Sequence, residues 1–232
     1  MNYRKKRDFE YVDAILFDLD GTLVDTAPDF IAVVNELRLQ LQLPRLEEFR
    51  IREQVSNGAS AMAQLLSADT STPLPIELLK AYKDQVLQTY EIYCGRFNKL
   101  FDQAGYFLEI CDALKIPWGV VTNKPRHFTE IVIQSLDLQN RIGSVVCPED
   151  VKHRKPDPES LFFACSELNV SPEKTIYVGD HVRDIEAGHA AGMKTVAATF
   201  GYVPISENSL DWKADYYIDN FSELCDLIFE TK

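Results

Sequence analysis

The stretch Asp13-Ala14-Ile15-Leu16-Phe17-Asp18-Leu19-Asp20-Gly21-Thr22 carries an apolar run straight into two carboxylates. Such a run reads as a buried strand, which places the acids where the strand opens into a loop. One carboxylate points beyond the strand end, and the other follows the turn that Gly21 permits. Beside a metal, the first can attack phosphorus and become an aspartyl-phosphate. The second can protonate a leaving oxygen and then activate water. Taken alone, the same pattern is compatible with a solvated turn or a piece of a calcium loop. Calcium loops continue with acceptors at alternate positions and a distal Glu, whereas Thr22, Leu23 and Val24 follow here.

Working outward, apolar runs recur as WGVV at 118–121, SVVC at 144–147, TIYVG at 175–179, TVAA at 195–198 and DYYI at 215–218. Most are separated by segments of helical spacing, so the sequence predicts an α/β fold with a parallel sheet. From about Pro28 to Asn98 strand signals vanish, and DFIAVVNELRLQLQL and PIELLKAYKDQVLQTYEIY carry helical patterns. We read this part as a helical insert broken at Pro73 and Pro75, with DTAP and GRFNK as candidate hinges.

Three further motifs stand near apolar runs. Thr122-Asn123-Lys124-Pro125 offers a hydroxyl and free amides that can cradle an anion, or simply cap a helix. Lys155 is flanked by Pro156 and Pro158, which either hold it over a helix start or leave it on a solvated loop. Asp180 and Asp184 are spaced to share one side of a helical turn and a cation, although either acid alone can serve as a cap. In an open parallel sheet the strand ends converge on one crevice, and four such motifs in this order predict a phosphoryl-transfer site there.

The chain has 232 residues, 46% of them hydrophobic, enough for a sizeable core. A net charge of −12 argues against nucleic acid or anionic lipid as partner, since both select clustered Lys and Arg. Five cysteines without CxxC spacing suit neither a disulfide framework nor a zinc site, and a cytoplasmic location is expected. The basic N-terminus lacks the apolar stretch of a signal peptide, and no run of about 18 apolar residues is present. Arg4, Lys5, Lys6 and Arg7 read as a frayed solvated tail or a small anion-contact arm. Oligomeric state is left open.

DLDGTLVDT, VVTNKP, KPDP and VGDHVRDIEAGHAAG together resemble the haloacid dehalogenase-like phosphatases, in the subgroup that contains phosphoglycolate phosphatase. DTAPDF, WGVVTNKP, RDIEAG and FGYVP are most similar to its N-acetylmuramic acid 6-phosphate phosphatases. The resemblance implies a Rossmann-like core of residues 1–27 and 99–232, with 28–98 as a type-one cap. It implies Asp18 as nucleophile and Asp20 as general acid and base. Mg²⁺ would be held by the Asp18 carboxylate, the Asp20 carbonyl and Asp180, with Asp184 completing or orienting its shell. Thr122 and Asn123 would grip the phosphoryl oxygens, and Lys155 would neutralise charge shared by Asp18 and the phosphate. Ser56, Asn57 and Gly58 resemble the subgroup's substrate loop.

Mg²⁺ and Lys155 would nearly balance the four acids, so an acidic protein can still bind a phosphate. Asp20 should hold its proton more tightly than Asp18, for which a neighbouring carboxylate supplies a cause. Two positions depart from the family: His181 replaces the usual Ser and either approaches substrate or starts a helix, and Gln103 stands where relatives commonly carry Gly. The expected substrate is a small cytosolic phosphomonoester, 2-phosphoglycolate or N-acetylmuramic acid 6-phosphate. A phosphosugar mutase on the same fold is the alternative, and a phospho-accepting receiver domain a weaker one. In receivers the acidic pair precedes the phosphorylated aspartate by a whole strand and helix.

Overall fold

In the computed structural model, residues 3–67 and 75–231 are described, so Pro73 lies outside them. The chain begins with β1 (Tyr3–Lys5), β2 (Ala14–Phe17), β3 (Val24–Asp25), α1 (Ala27–Gln40), α2 (Glu48–Arg52), α3 (Gly58–Leu65) and α4 (Ile76–Tyr93). It continues through β4 (Lys99–Leu100), α5 (Ala104–Ala113), β5 (Trp118–Val121), α6 (Arg126–Ser135), β6 (Ser144–Val146) and α7 (Glu159–Leu168). The last part holds β7 (Thr175–Gly179), α8 (Val182–Ala190), β8 (Lys194–Ala198), β9 (Tyr216–Ile218), α9 (Phe221–Ile228) and β10 (Phe229–Thr231).

The six apolar runs read from the sequence form one parallel sheet, ordered β6-β5-β2-β7-β8-β9. Every residue of β2, β5 and β7 is buried, as a sheet covered on both faces requires. From β2 the chain later moves to β5 and β6, then returns to β7 on the other side of β2. Strand order therefore reverses at β2, and that is where α/β sheets open a ligand crevice. Register brings the three central strand ends level, with Phe17 opposite both Val120 and Val178.

Between β3 and β4 the described residues form helices only. Helix α4 packs on α1 and α3, burying Val33, Val34, Leu37, Met62, Ala63, Val86 and Tyr90. Pro28 sits in the first turn of α1, where its missing N–H costs nothing. The Asp29 carboxylate accepts from Gly95 N at 2.9 Å and Phe97 N at 2.7 Å. The start of α1 is thereby tied to the loop that leads into β4. The two connections run side by side, with β3 and β4 pairing antiparallel through Val24 to Leu100 and Asp25 to Lys99.

One expectation is revised here. The basic N-terminus is not a frayed tail: β1 pairs with β10, and Lys5 Nζ donates to the carbonyls of Glu10 and Val12. Phe229–Thr231 leaves an unpaired edge that only another strand can satisfy, and β1 supplies it. Gln103 precedes α5 at φ 66°, in the left-handed region, a backbone conformation that favours Gly. Among the described residues no helix is long and apolar enough to cross a membrane.

Candidate active site

Asp18 follows β2, Thr122 follows β5 and Asp180 follows β7, each on the residue after the strand ends. Asp18 N donates to Val178 O at 2.9 Å and Thr122 N to Val146 O at 3.0 Å, so the ladder itself fixes these residues. Lys155 enters from the loop between β6 and α7, and Asp184 from the first turn of α8. The four sequence motifs thus meet at one end of the sheet.

Asp18, Asp180 and Asp184 are buried, and each offers a carboxylate oxygen within 4.8 Å of the others. Burial comes first, and with the Asp184 and Asp20 carboxylates it pushes the Asp18 carboxyl up to about 6, against the pull of Lys155. Burial, Asp18 and Asp184 push Asp180 up to about 8. Crowded hard oxygens that repel one another in this way fit a hard divalent cation. The spacing argument for Asp180 and Asp184 needs correction. Asp180 lies at the strand exit, outside the helix, and the two acids converge because α8 begins immediately after it. Backbone crowding permits this approach: a Cβ on Gly21, at φ +83°, would stand 2.1 Å from Asp180 Oδ2. One on Gly201 would stand 2.2 Å from Asp180 Cβ.

Lys155 lies behind Asp18, 2% exposed, 3.0 Å from Asp18 Oδ1 and 2.7 Å from Asp184 Oδ1. It also donates to Val121 O and Tyr177 OH. Burial alone would depress the ammonium, but the two carboxylates outweigh it and leave its pKa above the ordinary value. Lys155 therefore neutralises Asp18 from behind and is absent from the cavity wall.

That cavity, of about 420 Å³, opens on Asp18, Asp20, Thr122 and Asn123. Ser56, Asn57 and Gly58 form part of its wall, at the turn that starts α3. Ser56 Oγ reaches Asp180 Oδ2 at 3.4 Å, and Asn57 Nδ2 donates to Gln54 Oε1 at 3.2 Å. The Asn123 side chain donates to Lys155 O at 3.1 Å. Lys83 of α4 and Arg154 also line the cavity; both are exposed, and neither side chain is hydrogen-bonded or ion-paired with a described residue. His181 stands at the helix start, but half-buried there, where the sequence reading had it solvated. Its Nδ1 accepts from Arg183 N at 3.2 Å to cap α8, its ring stacks on Trp212, and it is not part of the cavity wall. Burial first, then the neighbouring Arg183, lowers it to about 4.

Sequence reasoning missed several side chains. Lys124, within the quoted TNKP, places Nζ 2.9 Å from Asp20 Oδ1. The expectation set a carboxylate beside Asp20; the structure adds this cation to it. The raised carboxyl is that of Asp18. Thr26 of DTAP donates to the same Asp20 oxygen. Tyr202 of FGYVP donates to Asp25 Oδ1 at 2.9 Å and offers its N–H to Asp180 Oδ2 at 2.8 Å. Tyr90 lies deep in a helical pattern, and nothing local in the sequence sets it apart from core residues.

The family described as haloacid dehalogenase-like hydrolase matches residues 15–198. An N-acetylmuramic acid 6-phosphate phosphatase of Pseudomonas aeruginosa is 40% identical over 218 residues, 93% of this chain and 94% of that protein. A phosphoglycolate phosphatase of Xanthomonas campestris pv. campestris is 35% identical over 211 residues, covering 91% and 94%. The crystal structure of a predicted phosphoglycolate phosphatase from Haemophilus somnus superimposes with a TM-score of 0.81 at 25% identity, covering 94% of this chain and 98% of that one. With the strand-end constellation and these matches together, the chain belongs to the haloacid dehalogenase-like hydrolases.

Proposed function

We propose that this phosphomonoester hydrolase acts through an aspartyl-phosphate at Asp18 on a cytoplasmic sugar phosphate of the size of N-acetylmuramic acid 6-phosphate. The observation that carries this reading is the cavity of about 420 Å³ above Asp18 and Asp20. It falls in the roughly 300–1,000 Å³ range of pockets that enclose drug-sized ligands, well beyond what phosphoglycolate fills. The P. aeruginosa relative named for that sugar phosphate supports it. Phosphoglycolate remains the second reading, favoured by the name of the X. campestris relative.

In the first step an Asp18 oxygen attacks phosphorus, the bond to the leaving oxygen breaks, and Asp20 gives that oxygen its proton. In the second, water attacks phosphorus, Asp20 takes its proton, and the bond to Asp18 breaks to release phosphate. Thr122 Oγ and the Asn123 amide hold phosphoryl oxygens, while Lys155 keeps the Asp18 carboxylate oriented. Mg²⁺, held by Asp18, Asp180, the Asp20 carbonyl and Asp184, would supply positive charge to the phosphoryl group. Residues 28–98 act as the cap, and its loop Ser56-Asn57-Gly58 with Lys83 and Arg154 meets the leaving group. A carboxylate on the substrate suits those two uncommitted cations.

A phosphate-release screen with and without Mg²⁺ tests the reading. It is expected to show Mg²⁺-dependent release from N-acetylmuramic acid 6-phosphate ahead of 2-phosphoglycolate. The reverse order would favour the second reading, and an isomeric sugar phosphate as product would indicate a mutase.

A further inference from the structure

Lys124 is 8% exposed, and a buried ammonium costs several kcal/mol unless its surroundings repay it. Its surroundings are unusual in coming from two parts of the chain. Nζ donates to Asp20 Oδ1 at 2.9 Å and to Tyr90 OH at 2.8 Å. It lies 4.9 Å from the Tyr90 ring centroid and 5.3 Å from that of Phe30, close enough for cation–π attraction to both. The two rings are stacked, with centroids 4.2 Å apart and planes 11° apart. Phe30 belongs to α1 and Tyr90 to α4, while Lys124 follows β5. The helical segment therefore sets where this ammonium sits.

Asp20 receives two donors, Lys124 Nζ and Thr26 Oγ1, and both converge on Oδ1. No described residue donates to Oδ2, and Asp20 lines the cavity. One oxygen is thus pinned and the other is left to face the substrate. Two donors on a single oxygen fix the carboxyl plane, which a single contact cannot do.

We infer that Lys124 is a positioning residue for Asp20, held in turn by Phe30 and Tyr90, so that the helices over the site aim the general acid. This rests on the assignment of Asp20 as general acid made above. Lys124 fixes Oδ1, and Oδ2 carries the proton to the leaving oxygen and later takes one from water.

The test is dependence on the leaving group. An alkyl phosphate needs its leaving oxygen protonated, whereas 2,4-dinitrophenyl phosphate departs without a proton. With Lys124→Met, kcat/KM, which reports phosphorylation and not the hydrolysis step common to both esters, is expected to fall by roughly 10²-fold on the alkyl ester and by less than about threefold on the dinitrophenyl ester. Tyr90→Phe, which keeps the ring and removes the hydroxyl, should show the same pattern more weakly, and Lys124→Arg should recover part of the alkyl-ester activity. Equal losses on both esters, in Lys124→Met or in Tyr90→Phe should the first not fold, would overturn the inference and indicate a contact to the phosphoryl group or a general structural effect. No loss on the alkyl ester would overturn it too. Asp20→Asn serves as the reference: if it shows no such selectivity, the acid assignment itself fails, and the role of Lys124 falls with it.

Discussion

Asp18 sits among groups that make its substitution readable. Asp18→Asn removes the proposed nucleophile but also relieves a crowded set of buried carboxylates, so the fold should survive while phosphate release falls by at least about 10³-fold. Circular dichroism and a phosphate-release assay check the two halves of that expectation. The thiols make a second case. Burial pushes Cys94, Cys147 and Cys225 up to about 11, and Cys111 higher still. Because the thiolate is the reactive form, iodoacetamide at pH 8 should label the native protein at least about tenfold more slowly than the urea-unfolded one. A matching rate in both states would contradict that burial. At this scale the sequence was legible wherever chemistry dictates residue type: Asp18, Asp20, Thr122, Lys155, Asp180 and Asp184 all lie near the strand ends. Lys124 stood inside a quoted motif, yet its role depends on Tyr90 and Phe30, which come from helices distant in sequence. No local pattern announces such a contact.

At the scale of elements, the runs that became β2, β5, β6, β7, β8 and β9 were readable because buried parallel strands are nearly all apolar. The segments in between were less so. Ser56-Asn57-Gly58-Ala59 reads as a polar turn before a helix; Ser56 and Asn57 do turn just ahead of α3, while Gly58 and Ala59 already begin it. Which substrate atoms it meets is a tertiary matter. Asn57→Ala should change the ratio of activities on the two candidate substrates by about threefold or more, while a generic aryl phosphate stays within about twofold. Equal effects on all three would deny the turn a role in selection. Gln103 offers an element test free of catalysis. A non-glycine residue in the left-handed region carries roughly 1–2 kcal/mol of strain, against roughly 0.5–1 kcal/mol of extra chain entropy lost by glycine. Gln103→Gly should therefore stabilise the protein by about 0.5–1 kcal/mol, measured as a shift in the urea midpoint with unchanged slope.

For the whole molecule, the acid cluster links metal, pH and stability. The carboxyl of Asp180 is raised in the fold to about 8. Between the ordinary carboxylate range and that value, the folded state binds more protons than the unfolded one. Stability of the metal-free protein should accordingly fall as pH rises through this window, and Asp180→Asn should flatten the fall. Mg²⁺ reverses the penalty: at a hundred times its Kd it should add about 2.7 kcal/mol, or roughly 5–10 °C in Tm, to the wild type and much less to Asp180→Asn. Thermal unfolding in EDTA and in Mg²⁺ across pH 5–8 reads both effects. The negative net charge argued against polyanionic partners but said nothing of this local balance, because charge totals carry no positions. The place of β2 in the sheet has one more consequence. Residues 14–17 leave the ribosome early, yet their two neighbours are residues 118–121 and 175–179. This fully buried strand must therefore wait, solvated or shielded by a chaperone, until both neighbours have been made. Its slow, non-local pairing leaves nascent β2, with Asp18 at its end, exposed to aggregation during synthesis.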